Sequence, residues 1–188
     1  MKVTLPENIS EITLDQFQRY HKLSLRTDLE VVDFNKRKIE IFTGIPFQKV
    51  NNIKQSDYDY IIKQIDDALT KDCEFVDRFK LGDIEFGFIP NFDDINVGEL
   101  GDLRNYADKE TELHRTMAIL FRPITNKDLL GNYTIENYGG TDKHCELMRT
   151  MPLHLVNGAL GFFLNLSNEL EIAIQRYTME VQAKGITL

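Results

Sequence analysis

The chain has 188 residues, a 42% hydrophobic and 28% charged composition, two cysteines and a net charge of −8. That balance describes one folded domain with its own core, and it excludes a disordered chain, a collagen-like repeat and a disulfide scaffold. The excess of acid also excludes a general nucleic-acid coat, which depends on Lys and Arg neutralising phosphates.

The first residues, Met1 to Asn8, carry neither the apolar stretch of a signal peptide nor an Arg-rich transit pattern. Thr13 with Gln16 three residues later is a capping-box start, and Leu14, Phe17 and Tyr20 follow at helical spacing. A second helix start lies at Thr27–Glu30, and Gly44 is placed to cap its end. Ser56 is expected to cap a third helix, with Tyr58, Ile61, Ile62, Ile65 and Leu69 on one stripe. The period then changes to two. Ile84, Phe86 and Phe88 alternate with Glu85, Gly87 and Ile89, and Gly82–Asp83 is a two-residue hairpin turn. Pro90 ends the hairpin. Helical spacing resumes at Val97–Tyr106 and again at Thr111–Phe121, where Pro123 reads as a stop. Tyr133–Tyr138 offers a short strand before Gly139–Gly140, and Thr141–Asp142 opens a helix to about Met151. Pro152 then sits at the first turn of the longest helix, expected from about Leu153 to Val181 and apolar nearly all round in its first half. Within it, Gly158 and Gly161 point to close packing. The apolar run Leu153–Leu166 is too short and too interrupted for a membrane span. The expected fold is α+β and predominantly helical. It is a single compact domain over residues 1–188, with six to seven helices, one β-hairpin at about 75–89 and the long C-terminal helix.

Acid is concentrated. Residues 93–112 hold seven acids and two bases, a net of −5. Asp93, Asp94, Glu99, Asp102, Asp108, Glu110 and Glu112 are therefore the candidate protein-interaction residues. A solvated face with helix N-terminal acids explains the same run without a partner. The stretch lacks the alternating ligands of a calcium loop.

Chemistry is harder to find. His21, His114, His144 and His154 include no pair at the i, i+4 spacing of helix-borne metal ligands, and no Cys-x-x-Cys occurs. His144 and Cys145 are adjacent, so on a helix they point apart. Cys73 lies between Asp72 and Glu74, which disfavours its thiolate. Phosphate-binding glycine loops and the Gly-x-Ser-x-Gly elbow are missing. The expectation is no catalytic residue, no cofactor and no metal, which turns attention to a binding or structural role.

Five segments carry a resemblance: Phe86–Phe92, Ile95–Leu103, Leu113–Ile124, Tyr133–Tyr138 and Gly158–Phe163. In this order, over about residues 75–166, the chain resembles small virion-associated proteins of tailed phages of Bacteroidetes, in particular the crAss-like podophages. The likeness lies in apolar and turn residues, not in a catalytic signature. It implies a ring or collar protein at the portal, in the head-to-tail connector of the virion, with the host cytoplasm as its place of assembly. Implied partners are other copies of itself, the portal and neighbouring collar or tail proteins, with neither a membrane nor sequence-specific nucleic acid. A tail-assembly chaperone absent from the virion is an alternative, and a small metal-independent phage enzyme a second. A ring subunit needs two different surfaces that meet head to tail, and an acidic patch against a basic one would set their register.

Overall fold

The computed structural model describes residues 5–71, 73–92 and 95–165. A 3-10 turn at Ile9–Glu11 leads to α1 (Leu14–Ser24), α2 (Val31–Thr43), α3 (Phe47–Val50) and α4 (Gln55–Leu69). A hairpin follows, β1 (Arg78–Leu81) and β2 (Ile84–Phe88), then α5 (Val97–Tyr106) and α6 (Leu113–Leu120). The chain returns to the sheet as β3 (Phe121–Lys127) and β4 (Tyr133–Ile135), then forms α7 (Cys145–Met148) and a helix α8 over 153–165.

The sheet corrects the sequence reading. Among the described residues there are eight α-helices and one four-stranded antiparallel sheet, ordered β1-β2-β3-β4, where six to seven helices and a single β-hairpin were expected. The missed strand β3 begins the residue after α6 ends, as Phe121 turns to φ −120°, ψ 125° with no loop between. Pro123 had read as a stop, yet it pairs with Phe86 inside the ladder. Its carbonyl accepts from Glu136 N–H at 2.8 Å, so its nitrogen also faces β4, where that ladder ends. The β2–β3 ladder therefore loses no donor to the proline. A long C-terminal helix is not shown. Helix α8 reaches residue 165, and the rest of that expectation lies outside the described residues.

Local chemistry explains some element ends. Thr13 and Gln16 form the capping box of α1. Gly44 closes α2 in the left-handed conformation at φ 71°, which glycine adopts without strain. The cap read at Ser56 is instead the second residue of α4, since Lys54 is the N-cap and offers no side-chain bond. The helix expected from Thr141 to Met151 shrinks to the single turn of α7.

The core lies between α6, the sheet and the first turns of α8. Helix α6 is its centre: Leu113, His114 and every residue from Thr116 to Leu120 are buried. Phe86 and Phe121 are fully buried on the inner face of the sheet, and Phe79 and Phe88 pack edge-on against Phe121. Leu14, Met148, Met151 and Leu153 close the core from the other side. There the chain ends of α1 and α8 meet, with Leu153 N–H donating to Ile12 O at 2.8 Å. Helix α8 is buried only at its start, since Phe162 and Leu164 are exposed.

The two glycines of α8 differ in purpose. A Cβ on Gly158 would collide with the backbone carbonyl of Glu74, 2.9 Å from its carbon, while a Cβ on Gly161 meets nothing within 4 Å. Gly158 thus lets α8 pass close to the backbone at Glu74–Phe75, before β1. Gly158→Ala is expected to lower folding stability by about 1–3 kcal/mol, the usual cost of forcing a packed contact apart. Gly161→Ala, by removing a helix glycine, is expected to raise it by about 0.4–1 kcal/mol. Urea midpoints of the two variants check this. Equal midpoints would contradict the role assigned to Gly158.

Candidate functional site

The most distinctive surface is the turn between β3 and β4. Its frame is the Asp128 side chain. Oδ1 accepts from the backbone N–H of Leu130 at 2.9 Å and of Asn132 at 2.8 Å, and Oδ2 accepts from Asn132 Nδ2 at 2.7 Å. Asp128 N–H donates to Asn132 O, and Gly131, at φ 88°, donates back to Asp128 O. The bonds from Asn132 hold the Asp128 carboxyl below the usual carboxylate range. From outside, Arg78 Nη1 donates to Gly131 O at 3.1 Å. The base of the turn is fixed by Tyr133, which lies across β2 where Gly87 leaves room. A Cβ on Gly87 would stand 2.9 Å from Tyr133 Cδ2, and the Tyr133 hydroxyl donates to Phe88 O at 3.0 Å.

This braced turn points its apolar residues outward. Leu129 is 106% exposed and Leu130 89% exposed. Single exposed leucines are ordinary on any protein. Two adjacent ones on a turn with so many internal hydrogen bonds form a preorganised apolar knob. A second apolar exposure lies on other elements, at the C-cap of α1 and the first turn of α2, where Leu25, Val31 and Val32 are 65%, 75% and 54% exposed.

The acidic candidates are spread over distinct environments. Asp93 and Asp94 lie outside the described residues. Glu99 is 3% exposed and turned inward, with Oε1 2.5 Å from Arg122 Nη2 and Oε2 accepting from Asn96 N–H at 2.8 Å. Asp102 accepts from the Tyr138 hydroxyl at 2.5 Å. Burial, and then that bond, push the Tyr138 phenol well above its ordinary pKa. Glu112 pairs with Arg115 at 3.3 Å, and Glu110 stands 3.9 Å from His21. Of the described members, Asp108 and Glu110 are the ones that are exposed. The structure therefore does not bring the described members together as one patch. Glu99, Arg122, Asn96 and Tyr138 instead line an open cleft of about 440 Å³ beside β4.

A third polar group sits against α6. His114 is 2% exposed. Its Nδ1 lies 3.1 Å from Gln18 Nε2 and its Nε2 2.9 Å from Arg149 Nη2. Gln18 Nε2 donates to Glu110 O, Arg149 Nη1 donates to Gln18 Oε1 at 3.1 Å, and Arg149 Nε donates to Glu146 Oε2 at 2.9 Å. Burial and then the Arg149 charge depress the His114 pKa, so the imidazole is held neutral. Cys145, 3% exposed, completes this corner. The residue that approaches Cys145 in space is His114, 31 positions away, not its sequence neighbour His144. The His144 imidazole instead faces Glu136 at 3.0 Å.

No protein-family model, curated protein or solved structure matches the chain. Among the described residues no helix is long and apolar enough to cross a membrane. Function must therefore be argued from the surfaces themselves. Sequence patterning missed the knob because Leu129–Leu130 carries no period. The available signal was an apolar pair bracketed by turn formers, Asp128 before it and Gly131–Asn132 after it. It also missed His114 with Cys145, which only the packing of α6 on α7 brings together.

Proposed function

We propose that this chain is a non-catalytic structural subunit that assembles head to tail into a ring, as a collar protein at the portal of a phage virion. The observation that carries the reading is the braced Leu129–Leu130 knob. A turn held by Asp128, Asn132 and Arg78 has little order left to gain on docking, so burying its two leucines stabilises a contact at low entropic cost. A rotational ring requires two unlike surfaces on one subunit. The knob and the Leu25–Val31–Val32 exposure supply two apolar surfaces on different elements. The resemblance of residues 75–166 to virion proteins of crAss-like phages supplies the setting.

The partner at the knob is then a second copy of this chain, with the portal and neighbouring collar proteins above and below the ring. Exposed acids such as Asp108 and Glu110 would steer those outer contacts rather than carry their affinity. Mass spectrometry of purified mature particles tests the assignment. The expected result is this chain at a fixed ratio to the portal protein. Its absence from particles, with presence in lysates during assembly, would overturn the collar reading in favour of an assembly chaperone.

A further inference from the structure

We propose that the corner where α6 meets α7 is a site for a zinc-class divalent cation, held by His114, Cys145 and Glu146, with the Arg149 guanidinium as the resident cation that the metal displaces. One ligand atom from each of the three side chains lies within 4.8 Å of the other two. Zinc bonds of about 2.0–2.3 Å place tetrahedral ligands roughly 3.3–3.8 Å apart, so closure requires a movement of about 1 Å. Glu146, whose side chain is 74% exposed, has the freedom to make it and marks the route of entry. Imidazole, thiolate and carboxylate are the ligand types zinc takes, and three protein ligands leave a fourth position for water.

Two further observations point to a cation at this place. First, Arg149 already occupies a cradle of three acceptors: Glu146 Oε2, His114 Nε2 and Gln18 Oε1, at 2.9, 2.9 and 3.1 Å. Second, the cradle holds one donor too many. A neutral imidazole accepts at one nitrogen only, yet both nitrogens of His114 face donors, Gln18 Nε2 and Arg149 Nη2. A metal on Nε2 moves the imidazole proton to Nδ1. With the guanidinium gone, the Gln18 amide can turn, giving up its bond to Glu110 O, and accept that proton through Oε1, the kind of outer hydrogen bond that orients metal-bound histidines. Cys145 loses its thiol proton to solvent as the metal binds.

The test is a titration of the reduced full-length protein with Co²⁺, followed by the thiolate-to-cobalt charge-transfer absorption, and then competition with Zn²⁺. The expected result is a 1:1 band that Zn²⁺ abolishes, lost in Cys145→Ser and kept in Cys73→Ser. Glu146→Gln alters an exposed side chain and is expected to weaken binding at least about tenfold. Arg149→Met, checked for folding by circular dichroism, is expected to tighten it at least about tenfold by removing the competing cation. No charge-transfer band in the wild type, or a band indifferent to both Cys145→Ser and Glu146→Gln, would overturn the site. Unchanged or weaker binding in folded Arg149→Met would overturn the displacement.

Discussion

Glu99→Ala is expected to cost about 3–5 kcal/mol of folding stability, a large part of the roughly 5–15 kcal/mol that holds a domain of this kind together. The reason is what the substitution leaves behind. Arg122 is 8% exposed, its Nε has no hydrogen-bond partner among the described residues, and Glu99 is the carboxylate that faces its Nη2. Removing that carboxylate strands a buried guanidinium, with the face of Tyr138, its ring centre 5.7 Å from the Arg122 Cζ, left to offset it among the described residues. The same change removes the Glu99 side-chain half of the α5 capping box, the bond that Glu99 Oε2 accepts from Asn96 N–H. Asp108→Ala, in the same acidic run but exposed, is expected to shift stability by less than about 0.5 kcal/mol. Removing both buried partners, as Glu99→Met with Arg122→Met, is expected to recover most of the loss, since no charge is then left unpaired. Urea unfolding of the four proteins checks the set. A Glu99→Ala loss no larger than that of Asp108→Ala would refute the structural role given to Glu99.

Leu129→Asp combined with Leu130→Asp is expected to do the opposite: leave the fold intact and abolish assembly. Both side chains are exposed, so the unfolding midpoint is expected to stay within about 0.5 kcal/mol of the wild type. Burying a leucine contributes about 1.5–3 kcal/mol. Losing two therefore weakens each subunit contact by about 3–6 kcal/mol, or roughly two to four orders of magnitude in affinity. Every contact of a head-to-tail ring contains the same knob, so the deficit recurs around the whole ring. A control at the acidic run, Asp108→Ala with Glu110→Ala, is expected to leave self-assembly unchanged. Assembly that survived the leucine double variant would remove the knob from the interface.

The two pairs of substitutions also show what a sequence can and cannot disclose about this chain. The α1 capping box and the Gly44 cap depend on neighbours a few residues apart, and both are legible by eye. The Gly82–Asp83 turn is equally local. Strand β3 was hidden because α6 feeds into it without a loop, and because a proline in a strand is harmless when its nitrogen faces the end of a ladder. Pro123 is harmless because its nitrogen points away from β2, which only the strand register discloses. The acid count at residues 93–112 was visible, but not that Glu99 would be consumed by Arg122, 23 residues later. A charge in a sequence reads as exposed until its partner is known. His114 and Cys145 lie beyond sequence patterning for a related reason, since their meeting depends on how α6 packs on α7.

Self-association through a rigid apolar turn is the central proposal for this chain. Native mass spectrometry of the purified protein tests it most directly, with the wild type and the Leu129→Asp, Leu130→Asp variant compared over a range of concentrations. The expected result is a closed oligomer of a single size for the wild type and a 21.8-kDa monomer for the variant. A wild type that is monomeric throughout, or a variant that forms the same oligomer, would contradict it.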